Sequence, residues 1–394
     1  MGLPENTPAA LGGLRIADFS RVLAGPLSTM VLADLGAEVV KVERPGSGDD
    51  TRSWGPPHDD TGTSTYFDAV NRNKTSLTLD LGTPEGVAAA RELVASADVV
   101  VQNFRPGVME RLGLGWAELS ADRPDLVYCS ISAFGSGAGA TLPGYDLIVQ
   151  AVGGLMSITG EPDGDPQKVG VALIDVVAGL YATVGVLAAL RHRDATGEGQ
   201  LVEVDLLSAL LGAMANQSTA YTAAGVVARR MGNDHPSVAP YELLPAADGR
   251  FAVAVGNDRL FGVFCAALGR PELAADPRYA TNLERVAHRE LLRLELVGVL
   301  RATPAAEWVS RLQAAGVPAG PVNDIAGAFA LADSLGLEPV VQVPRADGTT
   351  LALPRNPIRM SRTPATYRTA PPPLGGAAAP GPTTPGPAVP GAGR

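Results

Sequence analysis

Short apolar runs of strand length alternate with stretches of helical period through the first 132 residues, and this rhythm narrows the fold more than any other feature. Residues 14–19 form an apolar run suited to a strand, and residues 20–26 break it. Residues 27–35 have helical period and stop at Gly36; residues 37–43 read as strand again. The cycle repeats with a strand at 76–81, a helix at 84–96 opened by Pro84, a strand at 97–101, a turn at 103–107 and a strand at 126–132. Strands alternating with helices imply a parallel sheet joined by right-handed crossovers, the α/β class.

The remainder divides by composition. Residues 169–190 could cross a bilayer by length and carry one charge, Asp175. A lone carboxylate in lipid is costly, and aromatic flanks are missing, so a buried core helix from Asp175 to about Arg191 is expected instead. A strand at 201–204 and a helix at 206–226 follow, then a Gly/Asn/His/Pro loop around 229–236. Residues 241–255 read as a hairpin turning at Asp248-Gly249. Helices are expected at 260–269, 284–302 and 305–315. This organisation gives a large domain over 1–224, completed by about 331–370, and a smaller α+β domain over 225–330. Residues 351–359 are expected to return as a strand to the first domain. Residues 371–394 are almost wholly Pro, Gly, Ala and Thr and are expected to be disordered.

Charge and composition remove several classes of function. The 31 Lys+Arg stand against 41 Asp+Glu, a net charge of −10, which argues against a nucleic-acid partner. Cys129 and Cys265 cannot build a disulfide framework or a zinc site, which fits a reducing, cytoplasmic setting. His58, His192, His235 and His288 show no metal-ligand spacing, and residues 1–13 lack the pattern of a secretory signal. Neither a metal nor a membrane partner is expected.

Several residues could carry chemistry. The loop at 20–26 stands where a dinucleotide fold places its phosphate loop, but it has one glycine, Gly25, in place of G-x-G-x-x-G. Glu43 ends the second strand as a ribose-binding acid would, and Arg21, Arg44 and Arg52 add positive charge nearby, unless they are ordinary surface arginines. Asn71-Arg72-Asn73-Lys74 and Asn103-Phe104-Arg105-Pro106-Gly107 adjoin strands and suit either a phosphorylated ligand or tight turns. Asp175 suits an N-cap of the long helix or a desolvated nucleophile for acyl transfer, and the two roles are compatible. Tyr145 suits a substrate-orienting phenol or a packed aromatic. Gly232-Asn233-Asp234-His235-Pro236-Ser237 reads as a flexible loop able to close over a site, or as an interdomain connection.

The runs AGPLSTMVLADLGAEVVKVERPGSGDDTR, NRNKTSLTLDL, ADVVVQNFRPGVMERLGL, GYDLIVQAVGGLMSITG and VALIDVVAGLYA, in that order over about residues 12–210, resemble the family III CoA-transferases. Weaker similarity runs to about residue 374. The resemblance implies a Rossmann-like large domain, a smaller domain and an interlocked homodimer. It implies a nucleophilic aspartate at Asp175, which would pass through an aspartyl mixed anhydride and an aspartyl-CoA thioester. No tightly bound cofactor is implied; coenzyme A arrives as a cosubstrate. Val22, Ala24, Arg44, Leu79, Asn103, Phe104 and Arg111 match positions that contact CoA in the family, and Tyr145 matches an active-site tyrosine. Arg21 and Leu23 stand where formyl-CoA transferase has a histidine and a glutamine, so formyl or oxalyl specificity is not expected. Gly232, Asn233, His235 and Ser237 lie in a loop whose form resembles members using dicarboxylic acyl groups. The related α-methylacyl-CoA racemases carry a histidine where Tyr145 stands, and a phenol is a poor base near neutral pH, so transfer is expected rather than racemisation. A non-catalytic CoA-binding protein is the other alternative.

Overall fold

A computed structural model describes residues 9–376. The chain forms two compact units: Met1–Gly153 with Val169–Thr219 and Glu338–Arg394, and Gly154–Lys168 with Ala220–Leu337. The second unit thus takes in Gly154–Lys168, ahead of the expected 225–330 span.

The first unit is built on a six-stranded sheet of β1 (Arg15–Asp18), β2 (Glu38–Glu43), β3 (Lys74–Thr78), β4 (Val99–Gln102), β5 (Val127–Ser132) and β6 (Leu201–Asp205). All pairings are parallel and the order is β3-β2-β1-β4-β5-β6. The order reverses between β1 and β4, which opens a crevice at their carboxyl ends. Val99, Val100 and Val101 are wholly buried, as a central parallel strand covered on both faces must be. One layer of the core joins Ala17, Val40, Val100 and Tyr128 to Leu93 and Val94 of the helix Pro84–Ala95.

The helix Leu173–Thr196 is the one among the described residues long and apolar enough to cross a bilayer. Here half of its apolar stretch is buried, and it packs against the helix Ala24–Asp34 and against β5 and β6. Gly179 permits the helix crossing, because a Cβ there would stand 2.6 Å from the carbonyl oxygen of Ala24. A backbone atom cannot yield as a side chain can. We therefore expect Gly179→Ala to destabilise the protein by about 2–3 kcal/mol in calorimetric unfolding.

Several expectations need correcting. The long helix starts at Leu173, not Asp175, and its N-cap residue is Ala172, whose side chain makes no capping hydrogen bond. The helix expected at 206–226 divides into Leu206–Ala213 and Ala215–Ala224, with Ala215 in the left-handed region at φ 39°. The strand expected at 351–359 does not join the main sheet. Instead β11 (Thr350–Pro354) pairs antiparallel with β10 (Val340–Pro344). The first residues of the expected tail are held: Arg52 donates to Pro372 O, and the Gly375 N–H donates to Ser76 Oγ. Residues 377–394 lie outside the described residues.

The second unit contains an antiparallel sheet of β7 (Tyr241–Pro245), β8 (Arg250–Ala254) and β9 (Ala319–Pro321). Its core gathers Phe251, Phe261, Phe264, Leu292, Leu296 and Trp308. The Trp308 indole donates to Leu300 O at 2.8 Å, so its polar edge is satisfied inside that core. The helix expected at 284–302 breaks at His288 into Asn282–Ala287 and Arg289–Leu300.

Candidate active site

The loop after β1 is shaped by a buried ionic network beneath it. Asp18 accepts from Thr29 Oγ1 at 2.6 Å and Lys74 Nζ at 3.1 Å, and Lys41 Nζ pairs with Asp49 at 2.8 Å. Burial pulls the Asp18 pKa up, but Lys74, Lys41 and two hydroxyls outweigh it and hold the carboxyl below its ordinary range. Burial pushes Lys74 down to about 8. Lys41 also donates to Ser20 O at 2.8 Å, and Asp49 accepts from the Val22 N–H at 3.3 Å. Val22 is thereby held at φ 68°, a conformation that a β-branched residue adopts only under constraint.

Asn103 completes this constraint from β4. Its Oδ1 accepts from the Arg21 N–H at 2.8 Å and its Nδ2 donates to Arg21 O at 2.7 Å. Both ends of the amide are therefore used to clamp the loop. The Arg21 guanidinium lies 5.1 Å from the centroid of the Phe104 ring.

Above this loop a cavity of about 250 Å³ is lined by Val22, Ala24, Asn103, Phe104, Tyr145 and Asp175, among others. Asp175 lies in the first turn of Leu173–Thr196, but the capping carboxylate comes from elsewhere. Buried Asp146 Oδ1 accepts from the Ile174 N–H at 2.7 Å and the Asp175 N–H at 3.2 Å. Gln150, one turn on from Asp146, donates to Asp146 Oδ2 and accepts from the Val169 N–H at 2.9 Å. Asp146 thus performs the capping considered for Asp175 and leaves the Asp175 carboxyl free of that duty. Burial, then the negative charge of Asp146, pushes the Asp175 pKa up to about 7. The site holds a carboxyl that titrates near neutrality, beside a cavity, which is the condition for an oxygen nucleophile poorly stabilised by solvent.

A second cavity, of about 270 Å³, is lined by Arg44, Leu79, Phe104 and Gly82, and it shares Arg21 and Phe104 with the first. The CoA positions inferred from the resemblance therefore fall into two groups that meet at Phe104. Arg111 lines neither cavity and is exposed at the end of the helix Val108–Arg111.

The chain matches the model of CoA-transferase family III over residues 11–378. It is 43% identical over 386 residues to succinate–glutarate CoA-transferase of Agrobacterium fabrum, covering 95% of this chain and 94% of that one. It is 40% identical over 365 residues to acetyl-CoA:oxalate CoA-transferase of Acetobacter aceti, covering 91% and 92%. Among solved structures, a CAIB/BAIF family protein from Brucella suis is 42% identical with a TM-score of 0.82, covering 94% of this chain and 97% of the other. The chain belongs to CoA-transferase family III.

Not every polar residue suspected of binding serves the transferase in that way. Glu43 is occupied: it accepts from Arg52 at 2.7 Å twice, from Ser76 Oγ at 2.6 Å and from the Asp49 N–H at 2.9 Å. The 71–74 cluster is structural. Arg72 donates to both Asp34 oxygens at 2.9 and 2.7 Å, Asn73 donates to Asp34 at 2.8 Å, and Lys74 reaches Asp18. Gly232, Asn233, His235 and Ser237 belong to the second unit.

Sequence reasoning missed the roles of Asp146, Gln150, Asp49 and Tyr66. The Tyr66 ring packs edge-on against Trp54 at 5.2 Å, and burial, with the charges of Asp175 and Asp146, raises its pKa. The Asp146/Gln150 spacing of one helical turn, directly after Tyr145, was the available signal for that pair.

Proposed function

We propose that this transferase moves CoA between dicarboxylic acids through covalent chemistry at Asp175. The raised Asp175 carboxyl beside the cavity of Val22, Ala24, Asn103, Phe104 and Tyr145 carries the proposal. Relatives whose names include glutarate and oxalate support the substrate class. Oxalate accordingly returns to the acceptors worth testing, although Leu23 replaces the glutamine of formyl-CoA transferase.

An Asp175 oxygen attacks the thioester carbonyl carbon of the donor; the C–S bond breaks and CoA leaves as a thiolate. The thiolate then attacks the aspartyl carbonyl of the mixed anhydride and releases the donor acid as its carboxylate. The acceptor carboxylate attacks the resulting aspartyl-CoA thioester, expelling thiolate again. Thiolate finally attacks the acceptor's acyl carbon, giving the new acyl-CoA and regenerating the Asp175 carboxylate. Each exchange conserves one activated acyl bond, so no nucleotide is consumed. Tyr145 orients the substrate carbonyl, and backbone amides stabilise the tetrahedral oxyanions. Val22, Ala24, Asn103 and Phe104 line the path of CoA, Asn103 by fixing the loop, while Arg44, Leu79 and Arg111 serve its outer part.

The strand order supports a Rossmann-like description of the large domain, with the site at its switch point. The two compact units support a two-domain reading in outline, with Gly154–Lys168 assigned to the small domain together with Ala220–Leu337. A homodimer is supported by the exposed apolar face of the long helix and its approach: Val171 is 61% exposed, Tyr181 50% and Val184 64%.

Incubating the protein with succinyl-CoA and, separately, glutarate, oxalate or mesaconate tests this reading by mass spectrometry. The expected result is a new dicarboxyl-CoA thioester without ATP. Succinyl-CoA hydrolysis with no new thioester would refute transfer.

A further inference from the structure

The cavity that holds Asp175 is lined by two cations, Arg21 and Arg105, and by one further acid, Asp50. All four residues belong to the first unit. Arg105 is exposed, whereas Arg21 is anchored. Asn103 grips its peptide from both sides, at 2.8 and 2.7 Å, and the Phe104 ring lies beneath its guanidinium.

The Arg21 guanidinium is fixed but little used. Its Nη1 donates to Asp50 Oδ2 at 3.4 Å, between side chains 38% and 48% exposed. So long and solvent-screened a pair contributes little. Among the described residues its Nε–H and Nη2–H groups meet no acceptor. The ring beneath leaves these donors free, because they lie in the plane of the guanidinium. The cavity therefore presents a planar fork of N–H groups, held at its backbone and unsatisfied at its edge, to the same space as the reacting carboxyl. Leu23 and Phe134 line that space too and suit the methylenes of an acyl chain.

We propose that Arg21 recognises the remote carboxylate of a dicarboxylic acyl group, and that Asp50 competes for the same guanidinium when that carboxylate is absent. The inference rests on the dicarboxylate reading above and deepens it by naming the countercharge. A guanidinium fork meets a carboxylate with two parallel N–H···O bonds, which Asp50 at one corner does not achieve. An acid without a second charge leaves Arg21 to Asp50.

The test is a cycle over protein and ligand. Glutarate and monomethyl glutarate share a carbon chain and a reacting carboxylate, but the ester lacks the second charge. Each is measured as a KM at succinyl-CoA concentrations saturating for each variant, or the ester as a competitive Ki against glutarate where it is not turned over. The unmodified enzyme should favour glutarate over the ester roughly tenfold. Arg21→Met should weaken glutarate to the level of the ester and leave the ester nearly unchanged. Arg21→Lys keeps the charge without the fork and should recover part of the preference. Asp50→Asn should tighten glutarate about threefold and leave the ester unaffected, an effect of opposite sign that a merely structural ion pair would not produce. An unmodified enzyme without preference, a preference that survives in Arg21→Met, or weaker glutarate in Asp50→Asn would overturn the proposal. Equal weakening of both acids in Arg21→Met, the mark of a disturbed loop, would overturn it too. If glutaryl-CoA still forms, these results defeat this inference alone; an enzyme turning over no dicarboxylate defeats the reading beneath it as well.

Discussion

Replacing Asp175 with asparagine is expected to lower CoA exchange by at least about a thousandfold, because the attacking oxygen is lost. The same change should stabilise the fold. Asp175 has an ordinary pKa of 3.8, and burial, then Asp146, raises it to about 7 in the folded protein. Between these values the folded state binds the proton more tightly than the unfolded chain, so this group makes stability fall as pH rises from about 4 to about 7. Above pH 7 the penalty is complete. The rise caps it near ~4 kcal/mol, and partial exposure to water reduces the expectation to about 1–2 kcal/mol. Asparagine does not ionise, so the variant should gain on the parent across that window and match it near pH 4. Denaturant unfolding at pH 4.5 and pH 8 measures the difference. A variant equally destabilised at both pH values would mean that Asp175 is a structural residue.

The second large effect concerns Asp146. Transfer needs Asp175 ionised, so kcat/KM should fall about tenfold per pH unit below about 7 and level off above it. Asp146 contributes to that position by its charge and also caps the long helix. Asp146→Asn retains a capping oxygen but removes the charge, so the acid limb should move to lower pH. Its new N–H faces the Gln150 amide donor, which should cost about 1–2 kcal/mol of stability. Asp146→Ala should lose the cap as well, and more stability with it. A limb that stays in place in Asp146→Asn would show that burial alone sets the Asp175 pKa.

The sheet was legible because its strands are short, apolar and bounded by breaking residues. Val99–Gln102 is buried along its whole length, and such a run has few alternatives to a central strand. Where legibility failed, the deciding partner lay far away in sequence. The start of the helix at Leu173 depends on Asp146, 28 residues before Ile174, so no local capping signal marks it. Arg72 and Asn73 look like ligand-binding residues until Asp34, nearly 40 positions earlier, is placed between them. β9 is three residues long and contains Gly320 and Pro321, so it has no strand pattern and exists only because β8 offers an edge. Asn103 was found by its place after a strand, but its clamp on Arg21 depends on the crossover that brings β1 beside β4. The candidate nucleophile was legible as a residue type in a motif; its elevated pKa was not, because that depends on packing.

The most direct measurement is hydroxylamine trapping during exposure to donor acyl-CoA, followed by peptide mass spectrometry. An activated aspartyl group should appear as a hydroxamate on Asp175, dependent on donor and absent from Asp175→Asn. Sustained transfer with Asp175 never modified would contradict covalent participation of this carboxylate.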